Sequence, residues 1–307
     1  MSEKTKIAIM FVGQIRINGL YNNYADDNYI LESIQKYLLN DKFIQTFDYD
    51  VFISTDNIDI DKCNLFFGEK LKNINIYEKE WFYNPISREI KSYQYFYNKH
   101  MTINFNGYRN YVQALHEMYR VYCAYNMVID NETKNNKSYD MIIKIRLDSR
   151  LMQDLYELIL FFIENNKKIL LEHDHFIMVN KDYKELFDFI NFFGTYQNII
   201  DNTDSIFDYL FPPWTIEINS YNSLYFFCPE RQIIEYIRYL LHKNKGTCRN
   251  DLVTITYPSY TILYRGNNSY GYSNYNNNDV FIPYHNFEII KEKFRSDTTK
   301  LNIDITI

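Results

Sequence analysis

Apolar and polar positions along the chain follow two alternating periods, and together they predict an α/β fold. Lys6–Val12 (KIAIMFV) is a short apolar run ended by Gly13, the pattern of a strand buried on both faces. Tyr49–Ser54 (YDVFIS) is a second run of this kind, and Asn73–Tyr77 (NINIY) a third. Between the first two, Ile30, Leu31, Ile34, Tyr37 and Leu38 fall at helical spacing. Strand, helix, strand at this spacing is βαβ construction, which implies a parallel sheet.

The same reading continues down the chain. Tyr111–Ile129 is long, strongly apolar and free of Gly and Pro, so it predicts a central helix packed on the sheet, with Asn131–Ser138 as a polar loop after it. Tyr139–Leu147 (YDMIIKIRL) predicts another buried strand and Asp154–Glu164 another helix. Lys168–Leu171 and Phe176–Val179 are short strands around an acidic, His-containing turn, and Asp182–Phe193 is helical. Ile233, Ile234, Ile237, Leu240 and Leu241 mark an amphipathic helix, with Val253–Tyr257 and Thr261–Tyr264 as terminal strands. From Gly266 to Asn278 the chain is mostly Asn, Tyr, Gly and Ser, an irregular composition. With no internal repeat and no linker, the expected division is one α/β domain over residues 1–265 and an irregular Asn/Tyr-rich segment over 266–307.

Composition narrows the function classes. A chain of 307 residues suits one large domain with a sizeable core. Tyr (31) and Phe (23) are abundant while Gly (8), Pro (6) and Trp (2) are scarce, so most aromatics read as core filler and not as a binding stripe. The formal net charge is −6, and no dense run of Lys and Arg appears, which disfavours nucleic-acid binding. A nucleotide-sugar site stays open, because one or two placed cations and a metal suffice for a pyrophosphate. Cys63, Cys123, Cys228 and Cys248 form no Cys-x-x-Cys pair, so buried, reduced thiols in a cytoplasmic protein are expected. The N-terminal residues show no apolar signal core, and apolar runs such as Leu158–Ile163 fall far short of the roughly 20 residues that span a bilayer.

Two phosphate-binding patterns are absent: the Gly-rich Walker loop and a G-x-G-x-x-G after the first strand. Gly13-Gln14-Ile15-Arg16 stands there instead. A Gly at the C-terminal end of a strand lets a ligand approach the backbone, and open α/β sheets bind ligands at that edge. Gln14 and Arg16 are then placed to bind, Arg16 through its forked donors; an ordinary turn with a solvated Arg is the competing reading. Ser54-Thr55-Asp56 ends the second strand, where Thr55 and Asp56 can hold a ribose or a base edge, or simply make a turn. The sharpest feature is the strand that finishes Arg146-Leu147-Asp148-Ser149-Arg150. Arg146 and Asp148 are two apart and share a face. Asp148 there can take a hard cation such as Mn²⁺ or Mg²⁺, or form an ion pair with Arg146 at the sheet edge.

Gly-Gln-Ile-Arg after strand one, Asp50-Val51-Phe52-Ile53 in strand two, a long Tyr-rich helix and then Tyr139-Asp140-Met141-Ile142-Ile143-Lys144-Ile145-Arg146-Leu147-Asp148 resemble, in this order, a group of GT-A glycosyltransferase-like proteins. These occur in bacterial surface-polysaccharide loci, the WavE-type proteins among them, and in large DNA viruses. His173-Asp174-His175-Phe176-Ile177-Met178-Val179 is similar to the Asp-x-Phe strand of the same group. The resemblance runs from about Lys6 to His242 and implies a GT-A (Rossmann-like) fold and a nucleotide-diphosphate-sugar donor, with a UDP-sugar favoured over a GDP-sugar. It places Asp148 at the second acid of the common Asp-x-Asp element, the acid that contacts the metal. Arg146 replaces the first acid, which helps hold the ribose. Metal-assisted (Mn²⁺ or Mg²⁺) and Arg-assisted stabilisation of the leaving group both remain open.

Acid–base chemistry has candidates further on. His173 and His175 flank Asp174, and read either as metal ligands or as exposed polar residues at a strand start; Asp174 is the better candidate, for a sugar hydroxyl. Glu217, after Pro212-Pro213-Trp214, is a candidate base for the acceptor hydroxyl beside a sugar-stacking wall, or a surface residue in a loop. Glu230 is more simply a charge at a helix N-terminus. The expectation is a hexosyltransferase-type enzyme passing a sugar to a glycan or other hydroxyl acceptor, in surface-polysaccharide synthesis. The alternatives are a catalytically idle carbohydrate- or protein-binding module of the same fold, and a nucleotidyltransferase, for which Gly13-Gln14-Ile15-Arg16 is too spare a first loop.

Overall fold

The structure is a computed structural model, and it describes residues 4–13, 29–55, 58–77, 110–172, 175–188, 252–254 and 261–263. Strand β1 (Lys6–Val12) is followed by helices α1 (Tyr29–Tyr37) and α2 (Asp41–Thr46), strand β2 (Asp48–Thr55), helix α3 (Ile60–Phe67) and strand β3 (Leu71–Ile76). The long helix α4 (Asn110–Asn135) leads to β4 (Met141–Arg146) and the short β5 (Ser149–Leu151). Helix α5 (Tyr156–Glu164), β6 (Ile169–Glu172) and β7 (Phe176–Asn180) come next, with a 3₁₀ segment at Lys181–Phe187. Strands β8 (Leu252–Thr254) and β9 (Thr261–Leu263) complete the described elements.

Seven strands form one sheet in the order β3-β2-β1-β4-β7-β6-β8. β1 runs parallel to β2 and β4, β2 to β3, and β6 to β8, while among the described strands of this sheet β7 alone is reversed, against both β4 and β6. The fold is therefore α/β with a mostly parallel sheet flanked by helices. β5 and β9 pair antiparallel as a separate two-stranded sheet.

The sheet is buried on both sides, which is why its central strands read as unbroken apolar runs. Ile7, Ile9 and Phe11 of β1, Val51 and Ile53 of β2, and Met141, Ile143 and Ile145 of β4 share one core with α1, α2, α3 and α5. Ala8, Met10, Val12 and Phe52 alternate to the other face, where α4 crosses β1, β2 and β3. Two short helices owe their start to a side-chain cap. Asn40 accepts from the Phe43 N–H at 3.1 Å to open α2, and Asp59 accepts from the Lys62 N–H at 2.9 Å to open α3.

At the N-terminal edge of the sheet, polar ties fix α4 to the strands. Buried Asp50 accepts from the Tyr139 hydroxyl at 2.6 Å and pairs with Lys137 and, at 3.3 Å, with Lys72. Glu132 accepts from the Tyr139 N–H at 2.9 Å and from Lys184 at 2.7 Å. These ties carry α4 through Asn135, so the polar loop expected at Asn131–Ser138 is helical over its first half. The segment expected to be helical over Asp182–Phe193 is 3₁₀ as far as Phe187. The helix expected at Ile233–Leu241 and the segment 266–307 lie outside the described residues. No described helix is long and apolar enough to cross a membrane.

Candidate functional site

Strands β1, β2 and β3 build outward in one direction, and the chain then returns across α4 to place β4 on the other side of β1. The C-terminal ends of β1 and β4 therefore flank the point where the strand order reverses, the place where open α/β sheets bind ligands. Gly13 lies at the end of β1 with φ +123°, a conformation that a residue with a side chain adopts only under strain. Its N–H donates to Ser54 O at 3.1 Å, and the Leu147 N–H donates to Val12 O at 2.9 Å. These two bonds hold the ends of β2, β1 and β4 together.

The charged groups of β4 face α4. Ile142, Lys144 and Arg146 alternate with the core residues Met141, Ile143 and Ile145, so both cations sit on the helix side of the strand. Lys144 is wholly buried and pairs with Glu117 of α4 at 3.4 Å. Arg146 meets the other oxygen of Glu117 through Nη1 at 3.5 Å. Its Nε and Nη2 close side-on over Asp148, at 2.9 Å to Oδ1 and 3.0 Å to Oδ2. The Arg146 side chain is 13% exposed, and that of Asp148 1%. Hence the cation of this pair reaches the surface and the carboxylate lies beneath it.

The reversed strand β7 brings a second turn to this edge. Ile145 lies opposite Phe176, and the Arg146 N–H donates to His175 O at 2.9 Å. The His175 N–H in turn donates to Glu172 O at 3.2 Å, joining the ends of β6 and β7. β5 leaves the Arg-x-Asp turn to pair with β9, and the Leu151 N–H donates to the Ser33 hydroxyl of α1 at 3.1 Å. A shallow cleft of about 440 Å³ lined by Lys6, Phe47, Asp48, Tyr49 and Lys70 is at the opposite, N-terminal edge of the sheet and takes no part in this site.

Of the residues expected from sequence, Gly13, Arg146 and Asp148 are brought together at the switch point. Thr55 ends β2 beside them but is buried, with its carbonyl accepting from the Tyr77 N–H. Gln14, Arg16, Asp56, Asp174 and Glu217 lie outside the described residues. The structure adds Glu117 and Lys144. A signal for each stood in the sequence: Glu117 is the sole acid of the Tyr111–Ile129 run, and Lys144 interrupts an apolar strand.

A divalent cation at this site would need Asp148 as a ligand. Both of its oxygens are bonded to Arg146 and its side chain is closed from solvent, and a second cation placed against it would also face the guanidinium. Neighbouring Ser149 Oγ is buried without a hydrogen-bond partner among the described residues, but it offers one neutral oxygen. Among the described residues no three His, Cys, Asp or Glu side chains converge as a cation site. As folded here, the described donor set does not fit a divalent cation.

No protein-family model matches the chain, and no curated protein matches it. Several solved structures are similar at a low level. A cytidylyltransferase from Leptospira borgpetersenii is 11% identical, with a TM-score of 0.33 over 85% of this chain and 79% of that one. The glycosyltransferase GlyE of Streptococcus pneumoniae TIGR4 is 8% identical, with a TM-score of 0.32 over 83% of this chain and 45% of that one. Mouse xyloside xylosyltransferase 1 is 9% identical, with a TM-score of 0.32 over 65% of this chain and 76% of that one. None of these likenesses is close enough to assign a function.

Proposed function

We propose that the chain is a GT-A-type glycosyltransferase that moves a sugar, of hexosyl type, from a nucleotide-diphosphate sugar to a glycan or other hydroxyl acceptor. The observation that carries this reading is the meeting of the Gly13 turn with Arg146 at the switch point between β1 and β4. A UDP-sugar is the favoured donor and a GDP-sugar the next, by the resemblance of the motifs. Surface-polysaccharide synthesis is the setting the same resemblance suggests.

The chemistry follows from the charges that such a transfer creates. The bond between the anomeric carbon and the β-phosphate oxygen breaks, and the acceptor oxygen forms the new bond to that carbon. The nucleoside diphosphate leaves with the electron pair and gains negative charge. Arg146, the partly buried cation at the strand end, stabilises that charge as it develops. Gly13 lets the backbone approach the donor without a side chain in the way. In an inverting transfer the acceptor proton passes to a carboxylate, for which Glu217 is the candidate, while Asp174 is a candidate for holding a sugar hydroxyl and Gln14, Arg16 and Asp56 for donor contacts.

A thermal-shift panel of UDP, GDP, CMP and their sugars tests the reading, followed by assay of sugar-nucleotide turnover with a glycan acceptor mixture. A ligand that binds only the folded chain raises the melting temperature. A shift with one nucleotide, lost in Arg146→Ala, is expected. Binding without turnover would favour the idle module, and pyrophosphate release from a nucleoside triphosphate the nucleotidyltransferase. A well-folded sample that no nucleotide shifts would overturn the donor site.

A further inference from the structure

We propose that Asp148 is a positioning residue that aims Arg146, and that Arg146 holds the donor diphosphate without a divalent cation bridging through Asp148. This rests on the glycosyltransferase reading above and specifies how its donor site works.

Three observations converge. First, the guanidinium covers the carboxylate side-on, with both Asp148 oxygens engaged at 2.9 and 3.0 Å. A side-on pair fixes the plane of an arginine as well as its position, which a single contact does not. Second, the pair is layered. Asp148 is sealed from solvent and Arg146, at 13% exposed, is the less buried member, so of the two it is the cation that an anion at the ends of β1 and β4 can meet. Third, Arg146 Nη1 faces Glu117 at 3.5 Å, longer than its bonds to Asp148, and Glu117 is shared with buried Lys144. A phosphate oxygen can therefore replace Glu117 on Nη1 while Glu117 keeps Lys144 as its partner. The Asp148 contacts stay in place throughout, and the cation need not be reoriented when donor binds.

The diphosphate is the part of the donor that this arrangement recognises, so the test compares a nucleoside with its diphosphate. Affinities of the full chain for UDP, GDP and uridine are measured by calorimetry in EDTA and in Mn²⁺, with Mn²⁺ bound to protein counted by paramagnetic resonance against a protein-free Mn²⁺–UDP control. The expected result is a nucleoside diphosphate affinity that agrees within about twofold between the two buffers. In Asp148→Asn and Arg146→Ala that affinity falls by about tenfold or more, the scale of a charge-assisted contact, while uridine binding stays within about twofold.

Binding seen only with Mn²⁺, with bound Mn²⁺ lost in Asp148→Asn, would overturn the inference and leave the glycosyltransferase reading standing. Equal losses for uridine and UDP in Asp148→Asn would reduce Asp148 to a general structural role and also overturn it. Binding of no nucleoside diphosphate in either buffer would remove both the inference and the reading beneath it. If Asp148→Asn fails to fold, Asp148→Glu, which keeps the charge but moves the carboxylate, takes its place, and UDP affinity unchanged in it would overturn the positioning role.

Discussion

Arg146 closes side-on over Asp148 across a tight turn, and of the two only Arg146 reaches solvent. The two truncations should therefore differ. Arg146→Ala strands a buried carboxylate and should cost about 3–5 kcal/mol, the range for breaking a buried pair. Asp148→Ala leaves Arg146 facing Glu117 and partly hydrated, so about 2–3 kcal/mol is expected. Urea unfolding of both variants measures the difference, and equal costs would contradict the layered arrangement.

Glu117 is the carboxylate that Lys144 and Arg146 share. Removing it takes their shared carboxylate from two cations of one strand. Glu117→Ala should cost about 3 kcal/mol or more, whereas Lys144→Met, which keeps the volume and leaves Glu117 to Arg146, should cost about 1 kcal/mol or less. A double-mutant cycle on the two residues reads their coupling, and additivity would show that Glu117 does not serve Lys144.

Much of the framework could be read from the sequence because its strands are buried on both sides. The run Lys6–Val12 forms β1 over that same span, and β2, β4, β6 and β7 each fall within a few residues of expectation. What escaped was set by side-chain contacts that the spacing of apolar positions does not show. Asn131–Ser138 looks like a loop by composition, yet Glu132 inside it bonds the Tyr139 N–H and Lys184, and that support extends α4 to Asn135. Helices α2 and α3 are short and start on Asn40 and Asp59, caps that a period-based reading passes over. At the site, the spacing of Arg146 and Asp148 placed them on one face, but nothing local could tell an ion pair from a cation ligand. The role of Glu117 lies in a contact with β4 from a helix that precedes it, and no local pattern carries that information.

Asp50 supplies a pH dependence of known sign. Burial pushes its carboxyl up, but hydrogen bonds from Lys137 and Tyr139 and the charges of Lys137 and Lys72 outweigh this and hold it below the ordinary value of 3.8. A carboxylate with a depressed folded-state pKa adds stability that is fully present above its unfolded pKa, and loses it as pH falls through the folded one. The unaltered chain should thus lose stability below about pH 4, and Asp50→Asn should lose less over the same range. The gap between their urea midpoints should narrow from pH 6 to pH 3. Parallel curves would mean that the Asp50 carboxylate is not held this way.

The two thiols described in the fold should be slow to react. Burial pushes Cys63 up to about 12, with the nearby Asp59 charge adding to the effect and Lys62 opposing it. Burial likewise pushes Cys123 up to about 11, against a hydrogen bond from Tyr119 and the Arg120 charge. Since the thiolate is the reactive form, a disulfide reagent at pH 8 should label Cys63 only on unfolding, and Cys123, which is partly exposed, slowly in the native chain. Mass-spectrometric mapping checks this, and rapid labelling of Cys63 in the native chain would contradict its burial.

Gly13 tests whether the end of β1 is set by backbone or by crowding. Its φ of +123° strains any side chain, while a Cβ built there would meet nothing nearer than the Leu147 nitrogen at 3.9 Å, an ordinary contact. Gly13→Ala should cost about 1–3 kcal/mol, the scale of backbone strain, and Gly13→Ser should cost the same. If crowding governed instead, the larger serine would cost more. A backbone that relaxes to relieve the strain must also loosen the bonds from Gly13 N–H to Ser54 O and from Leu147 N–H to Val12 O. Nucleotide affinity should then fall in both variants by similar factors, because Arg146 is carried on the strand that the second bond ties to β1. A loss of stability with nucleotide affinity unchanged would detach the Gly13 turn from the donor site and leave Arg146 as its remaining described support.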